Sequence, residues 1–143
     1  MLYQVGPLTF DDYGLTADGV EREVEADFAE HALASGRVDF EFAGPGKDPL
    51  QIAGKIMPFH EGGLPELERA EDLCTSGRPQ FVMRGDGTPL GWHVIKKVRA
   101  KHSEIAPTGV GYVIEHEMQL ERGRDPGPGA GADLIGMLIG LFE

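Results

Sequence analysis

Extended segments of period-two alternation, each cut off by glycine or proline, are the feature that most limits what this chain can fold into. Val110, Tyr112, Ile114, Met118 and Leu120 fall on one side of such a segment, with His116 among them. Glu115, Glu117, Gln119 and Glu121 fall on the other. Strand side chains point alternately to opposite faces, so the segment reads as a strand with one dry and one wet face. Val38, Phe40 and Phe42 repeat the pattern against Arg37, Asp39 and Glu41, and Leu50, Ile52 and Ile56 repeat it again. Val20, Val24, Ala26 and Phe28 alternate with Glu21, Glu23, Glu25 and Asp27, which predicts a half-buried strand whose wet face is wholly acidic. The 21 glycines and 10 prolines lie mostly between such segments, a pattern of short strands and turns rather than a helical bundle.

Helical spacing in the core is confined to Leu64 to Thr75, where Leu67, Ala70, Glu71 and Cys74 follow one another at helical intervals. Pro65 suits the first turn, and Glu66 and Glu68 favour the N-terminal end of the helix dipole. Gly77 and Pro79 stop the helix. A short strand from Gln80 to Arg84, an Asp86-Gly87 turn and a long strand carrying Leu90, Trp92, Val94 and Val98 then predict a hairpin. The long strand, about Leu90 to Lys101, should pair with Gly109 to Arg122 through a turn at Ala106 to Gly109. That register brings part of the basic run Lys96, Lys97, Arg99 and Lys101 near acids of the partner strand, each opposite pair contributing about 0.2 to 1 kcal/mol. The expected class is α+β: a mainly antiparallel sandwich or barrel with one packed helix, plus a C-terminal apolar helical arm.

With 143 residues the chain is one domain with room for a real core. Its net charge of -11 argues against binding a nucleic-acid backbone, which calls for a basic surface. Cys74 is the single cysteine and can form no internal disulfide. Together with an N-terminus that lacks a basic region followed by an apolar one, this predicts folding in a reducing cytoplasm. No segment reaches the ~20 apolar residues of a spanning helix.

Several stretches in order carry a resemblance: LYQVGPLTF at the start, ADFAEH from Ala26, GRVDFEFAGPG from Gly36, IAGKIMPFHEGGL from Ile52, PQFVMRGDG followed by LGWHVI, and GVGYVIEHEMQLER. Over Met1 to about Arg122 the chain resembles the GpU family of tail proteins from contractile-tailed bacteriophages and tail-like bacteriocins. The resemblance implies a structural virion protein of tail assembly, placed where tube meets baseplate, with tube and hub proteins as partners. It divides the chain into a domain at 1–122, a Gly/Pro linker at 123–132 and an apolar helix or docking arm at 133–143. The last two pieces are not required by the family pattern.

The acid stripe of Glu21, Glu23, Glu25 and Asp27 reads most simply as a solvated strand face. It would also suit the lumen or interface of a ring, where like charge repels passing DNA; a divalent-cation site would need loop geometry that same-face strand carboxylates lack. His31, His60, His93, His102 and His116 lie in no HExxH, Cys74 has no zinc-pairing cysteine, and no cofactor or metal is expected. A hydrogen-bonded core or interface role suits His116. Ser35, Ser76 and Ser103 sit in no G-x-S-x-G elbow, Arg84-Gly85-Asp86 reads as part of its turn, and GPGAGAD lacks the βαβ frame of a dinucleotide loop. In the C-terminal segment Leu134, Ile135, Leu138, Ile139, Leu141 and Phe142 are apolar nearly all round, which favours docking over exposure, since each large side chain buried is worth ~1.5 to 3 kcal/mol. The expectation is a non-enzymatic tail protein that forms rings with copies of itself, sixfold or threefold, without a membrane span. The rivals are a small tail-tip peptidoglycan hydrolase and a soluble adaptor unconnected with phage.

Overall fold

A computed structural model describes residues 1–124 and Pro126. Most of the expected linker and the apolar set Leu134, Ile135, Leu138, Ile139, Leu141 and Phe142 lie outside the described residues. The strands are β1 (Tyr3–Val5), β2 (Leu8–Phe10), β3 (Gly19–Arg22), β4 (Ala26–Ala32), β5 (Val38–Pro45), β6 (Pro49–Ile56), β7 (Gln80–Arg84), β8 (Pro89–Ile105) and β9 (Gly111–Arg122), with helix α1 (Leu64–Ser76) between β6 and β7. Seven strands form one antiparallel sheet in the order β2-β1-β7-β8-β9-β6-β3, while β4 and β5 pair only with each other. The sheet is curled into a half-barrel with one helix packed on it, the class its alternation implies.

The curl brings the two sheet edges together. The chain runs from edge strand β2 to edge strand β3 through residues 11–18, and on the way Thr16 Oγ1 donates to the Lys55 carbonyl and accepts from the Lys55 amide (3.0 Å). Asp18 N–H then donates to Ala53 O at 2.8 Å. Inside the curl Phe10, Ile52, Ile56, Ile114, Met118 and Leu120 are almost wholly removed from water, joined by Val5, Leu8 and Val82. Helix α1 covers this core with Leu67 and Ala70. It starts after Gly63 and ends at Gly77, both with positive φ, and Gly77 N–H returns to the Cys74 carbonyl at 3.3 Å.

Two bulges correct the expected face of β8. Gly91 has φ 96°, and the register with β7 slips beside it; a second slip falls between Ile95 and Lys97. Each slip reverses which face later side chains take. Thus Leu90 points inward, His93 and Ile95 take over, and Val98 and Ala100 follow, while Trp92 and Val94 are only half-buried. Trp92 instead meets Phe81 edge-on at 5.5 Å. The β8–β9 pairing through the turn at Ala106 to Gly109 is as expected, with Arg99 opposite Glu117 and Lys101 opposite Glu115. In the β7–β8 turn, Gly87 N–H donates to the Arg84 carbonyl and Arg84 forks onto Asp86, so this tripeptide is the turn itself.

Gly54 is where the crossing segment lies tightest against the sheet. A Cβ there would overlap the Thr16 carbonyl and sit 2.9 Å from His116 Nε2, whereas nothing lies within 4 Å of one at Gly19. Overpacking of this kind costs about 1 to 3 kcal/mol. We expect Gly54→Ala to lower the unfolding free energy by that amount and Gly19→Ala to leave it unchanged or slightly raised, as read from equilibrium urea denaturation.

Candidate functional site: a projecting hairpin and its charged root

Strands β3, β4, β5 and β6 are one long hairpin of which only the lower half belongs to the sheet. Pairing runs from Gly19–Ala53 to Arg22–Leu50. It continues through Glu23 N–H to Pro49 O (3.2 Å) and Glu25 N–H to Lys47 O (2.9 Å), then resumes from Ala26–Pro45 to Ala32–Val38. The expected single strand from Val20 to Phe28 is therefore interrupted at residues 23–25. Pro45, Gly46 and Pro49 on the opposite side suit such a break, since proline gives up a ladder donor.

Above the break the alternation is as expected but the burial is not. Phe28, Phe40, Phe42 and Val38 share one face, together with Glu30 and Ala32, and that face packs on no core. Phe28 is 52% exposed, Phe40 58% and Phe42 63%. The three rings cluster, Phe28 meeting Phe42 at 5.6 Å and Phe40 at 6.3 Å, both edge-on. The other face carries Asp27, Asp39 and Glu41, with His31 Nε2 3.0 Å from Glu41 Oε2. A two-stranded hairpin with no covering layer is marginal in water, so three exposed phenylalanines here mark a surface built to be covered.

The root of the hairpin is held by charge. Asp48, just before β6, is buried; Arg22, at the end of β3, donates through Nε to Oδ1 (2.9 Å) and through Nη2 to Oδ2 (2.8 Å). Arg122, at the end of β9, places Nη1 3.9 Å from Oδ2 and its own N–H on the Asp48 carbonyl. The Arg22 bonds hold the Asp48 carboxyl below its usual range despite burial. His93 lies beneath the cluster, fully buried, with Nδ1 3.1 Å from Gly91 O. Burial pushes both His93 and His116 below the ordinary imidazole range; the Gly91 carbonyl and the Asp48 charge oppose this at His93, the Thr16 backbone and the Asp18 charge at His116. His116 is on the inward face as expected, yet neither its Nε2 nor that of His93 has a hydrogen-bond partner among the described residues.

The acid stripe divides across the break. Glu21 sits on β3, Glu23 and Glu25 in the interruption, and Asp27 on β4, all exposed. On the sheet's outer face Glu21, Gln51, Gln119 and Lys97 stand in one cross-strand row, above Lys55, Glu115 and Lys101 in another. Shallow depressions of about 330 and 270 Å³ lie on this face, lined among others by Arg99, Lys101 and Glu117 in one and by Glu23, Lys96 and Glu121 in the other. No group of three or more His, Cys, Asp or Glu side chains is arranged to hold a metal among the described residues. No described helix is long and apolar enough to cross a membrane.

Several solved proteins of phage tails and related particles are similar in fold. The SPP1 Dit (gp 19.1) protein, described as a hub adsorption apparatus of phages infecting Gram-positive hosts, aligns over 87% of this chain with a TM-score of 0.59 and 9% identity. The chain spans about half the length of that protein. A tail protein of the gene transfer agent particle, from a tail with C6 symmetry, aligns over 79% of this chain and 80% of its own, with a TM-score of 0.53 and 12% identity. A protein of the sheath–tube complex of an extracellular contractile injection system, PVC, aligns over 86% and 84%, with a TM-score of 0.52 and 12% identity. Comparison with curated protein sequences gave no match. At identities of 9 to 12% these likenesses are of fold. Residues 6–125 match the model of the Phage P2 GpU family, and the chain belongs to that family.

Sequence patterning missed the Arg22–Asp48–Arg122 cluster, because Arg22 and Asp48 are far apart in sequence and nothing local marks them as partners. The pKa directions fix how stability should follow pH. The two buried imidazoles stay neutral when folded but bind protons when unfolded, so their stabilisation is complete above about pH 6.5 and falls as the pH drops toward their lowered folded values. Asp48 acts in a separate window: its stabilisation is present above about pH 4 and is lost as pH falls through its depressed folded value. We expect the melting temperature to decline from pH 7 to pH 5, and His93→Gln with His116→Gln to flatten that slope in calorimetric scans. Asp48→Asn should cost about 1 to 3 kcal/mol at pH 7, toward the low end because the Arg22 guanidinium is 34% exposed.

Proposed function

We propose that the protein acts at the junction of tail tube and baseplate, where identical copies associate into a ring with sixfold or threefold symmetry and present unlike surfaces to tube and hub. The observation that carries this reading is the hairpin: an aromatic face held out from the sheet above a partly buried ion-pair root, in a member of a tail-protein family. Complete burial of an exposed phenylalanine is worth about 1.5 to 3 kcal/mol; these rings are already near half covered, so the face contributes to association together with further contact area. The C6 symmetry of the gene transfer agent tail supports the sixfold alternative. In this reading the role is geometric and no residue is catalytic.

Glu21, Glu23, Glu25 and Asp27 form the wet interface or lumen face of the ring. A lumen of like charge repels the phosphate backbone of DNA in transit and keeps it from sticking. The apolar set from Leu134 to Phe142 serves as a second docking arm, contacting a neighbouring subunit or a baseplate protein. Synthesis and assembly take place in the bacterial host cytoplasm, ahead of incorporation into the virion.

The test is negative-stain electron microscopy of particles from a strain lacking the gene. Missing tails, or tubes without a proper baseplate, are expected; normal particles that contract would overturn the reading. Exchanging the four stripe acids for lysine should leave the melting profile of the isolated chain near that of the parent and reduce infectious titre, and an unchanged titre would remove the stripe from the mechanism.

A further inference from the structure

Two exposed apolar clusters stand at opposite ends of the half-barrel. The hairpin end carries Phe28, Phe40 and Phe42 on a two-stranded layer that has no cover among the described residues. The other end carries Phe59, in the turn after β6, stacked at 4.9 Å on Tyr112 at the start of β9, and both of these rings are exposed as well. The chain itself leaves the sheet at the hairpin end. Arg122, the last residue of β9, donates its N–H to the Asp48 carbonyl at 3.1 Å, and Gly123 N–H donates to the Trp92 carbonyl at 2.9 Å. The exit of the chain and the root of the hairpin are therefore in direct contact.

Beyond that exit the sequence supplies a spacer and an apolar end. Positions 123–132 read GRDPGPGAGA and positions 133–143 read DLIGMLIGLFE, in which charge is confined to Asp133 and Glu143. Reach decides which cluster such an end can meet. A glycine-rich chain of about ten residues has a root-mean-square span of about 16 to 19 Å and cannot exceed about 33 to 36 Å. Tracing back from Asp48 to Phe42 covers at most about 20 Å at ~3.3 Å per residue, and Phe28 lies opposite Phe42. The path along β9 from Arg122 to Tyr112 is about 33 Å on the same scale. The hairpin rings fall within the ordinary span, and the far patch is met only at full stretch.

We infer that the occupant of the Phe28–Phe40–Phe42 face in the unassembled protein is the chain's own C-terminal segment, Leu134 to Phe142, returned onto the hairpin from the end of β9. The match is chemical as well as spatial. The ring face holds one carboxylate, Glu30, while Asp27, Asp39 and Glu41 occupy the opposite face. An uncharged apolar segment therefore covers the rings without burying a row of carboxylates. The short tether holds it near the face at an effective concentration on the order of millimolar, which favours it over a partner free in solution. This contact stands apart from the ring reading; the arm contact of an assembled tail follows once the segment leaves its own hairpin.

Disulfide trapping in the full chain tests the contact. On a Cys74→Ser background, Glu30→Cys, opposite Phe40 on the ring face, is combined with Gly140→Cys, so that every ring and the whole apolar set remain. The control combines Gly140→Cys with His60→Cys, an exposed position beside Phe59. Circular dichroism with a thermal melt verifies that each variant folds. In dilute solution with oxidised glutathione, the Glu30 pair should close within one chain about tenfold faster or more than the His60 pair, read by non-reducing gels and peptide mass spectrometry. Equal rates, or no closure with either Gly140→Cys or Gly136→Cys, would overturn the contact and leave the face to a partner from outside the chain. Bonds formed only between chains would overturn it in favour of a second copy. Hydrogen exchange supplies a readout without cysteines: Leu138→Asp with Ile139→Asp should speed exchange of β4 and β5 amides by about tenfold or more and leave β8 and β9 unchanged. Hairpin exchange equal to that of the parent would overturn the inference. Particle morphology in the deletion strain is read separately, so failure of this contact leaves the tail role standing.

Discussion

A carboxylate taken almost out of water must be met by cations, and the Asp48 carboxylate is met by the forked guanidinium of Arg22, with Arg122 further out. This interaction fixes where the sheet stops. It ties the last residue of β3 to the residue before β6 and draws in the end of β9, so three strands are pinned at one level. Below it the β3–β6 ladder is part of the half-barrel. Above it the same two chain segments pair only with each other, as β4 and β5. A partly buried ion pair contributes little net stability once desolvation is counted. Its geometric consequence is larger, because it decides the direction in which the hairpin leaves.

The core explains why the hairpin has no place to return to. Phe10, Ile52, Ile56, Ile114, Met118 and Leu120 already fill the curl, and Leu67 and Ala70 of the helix cover it. The Asp11–Asp18 crossing closes the remaining side by lying over Gly54, where not even a methyl group fits. The phenylalanines of β4 and β5 are therefore surplus to a finished core. Surface apolar residues scattered singly need no explanation, but three clustered rings on a layer with no cover do.

The alternation of the sequence made the strands legible, and Pro65 with the Gly77 and Pro79 stop made the helix so. It could not separate a face dried by the chain's own core from one awaiting another molecule, because period two records only that apolar residues share a side. Phe28, Phe40 and Phe42 follow that rule as faithfully as Leu50, Ile52 and Ile56, with opposite burial. Bulges hid the second difference. Gly91 and the extra residue at Lys96 each flip the face of β8, so Trp92 and Val94 gave way to His93 and Ile95 inside. The Arg22–Asp48 root depends on contacts between distant segments, which no local pattern carries.

Net charge sharpens the question of how such a chain can associate with itself. At -11, copies repel one another on average, and a contact between identical aromatic hairpin faces would bring the Glu30 carboxylates of both copies into it. Like charges placed together cost energy, which disfavours a two-fold pairing of hairpins.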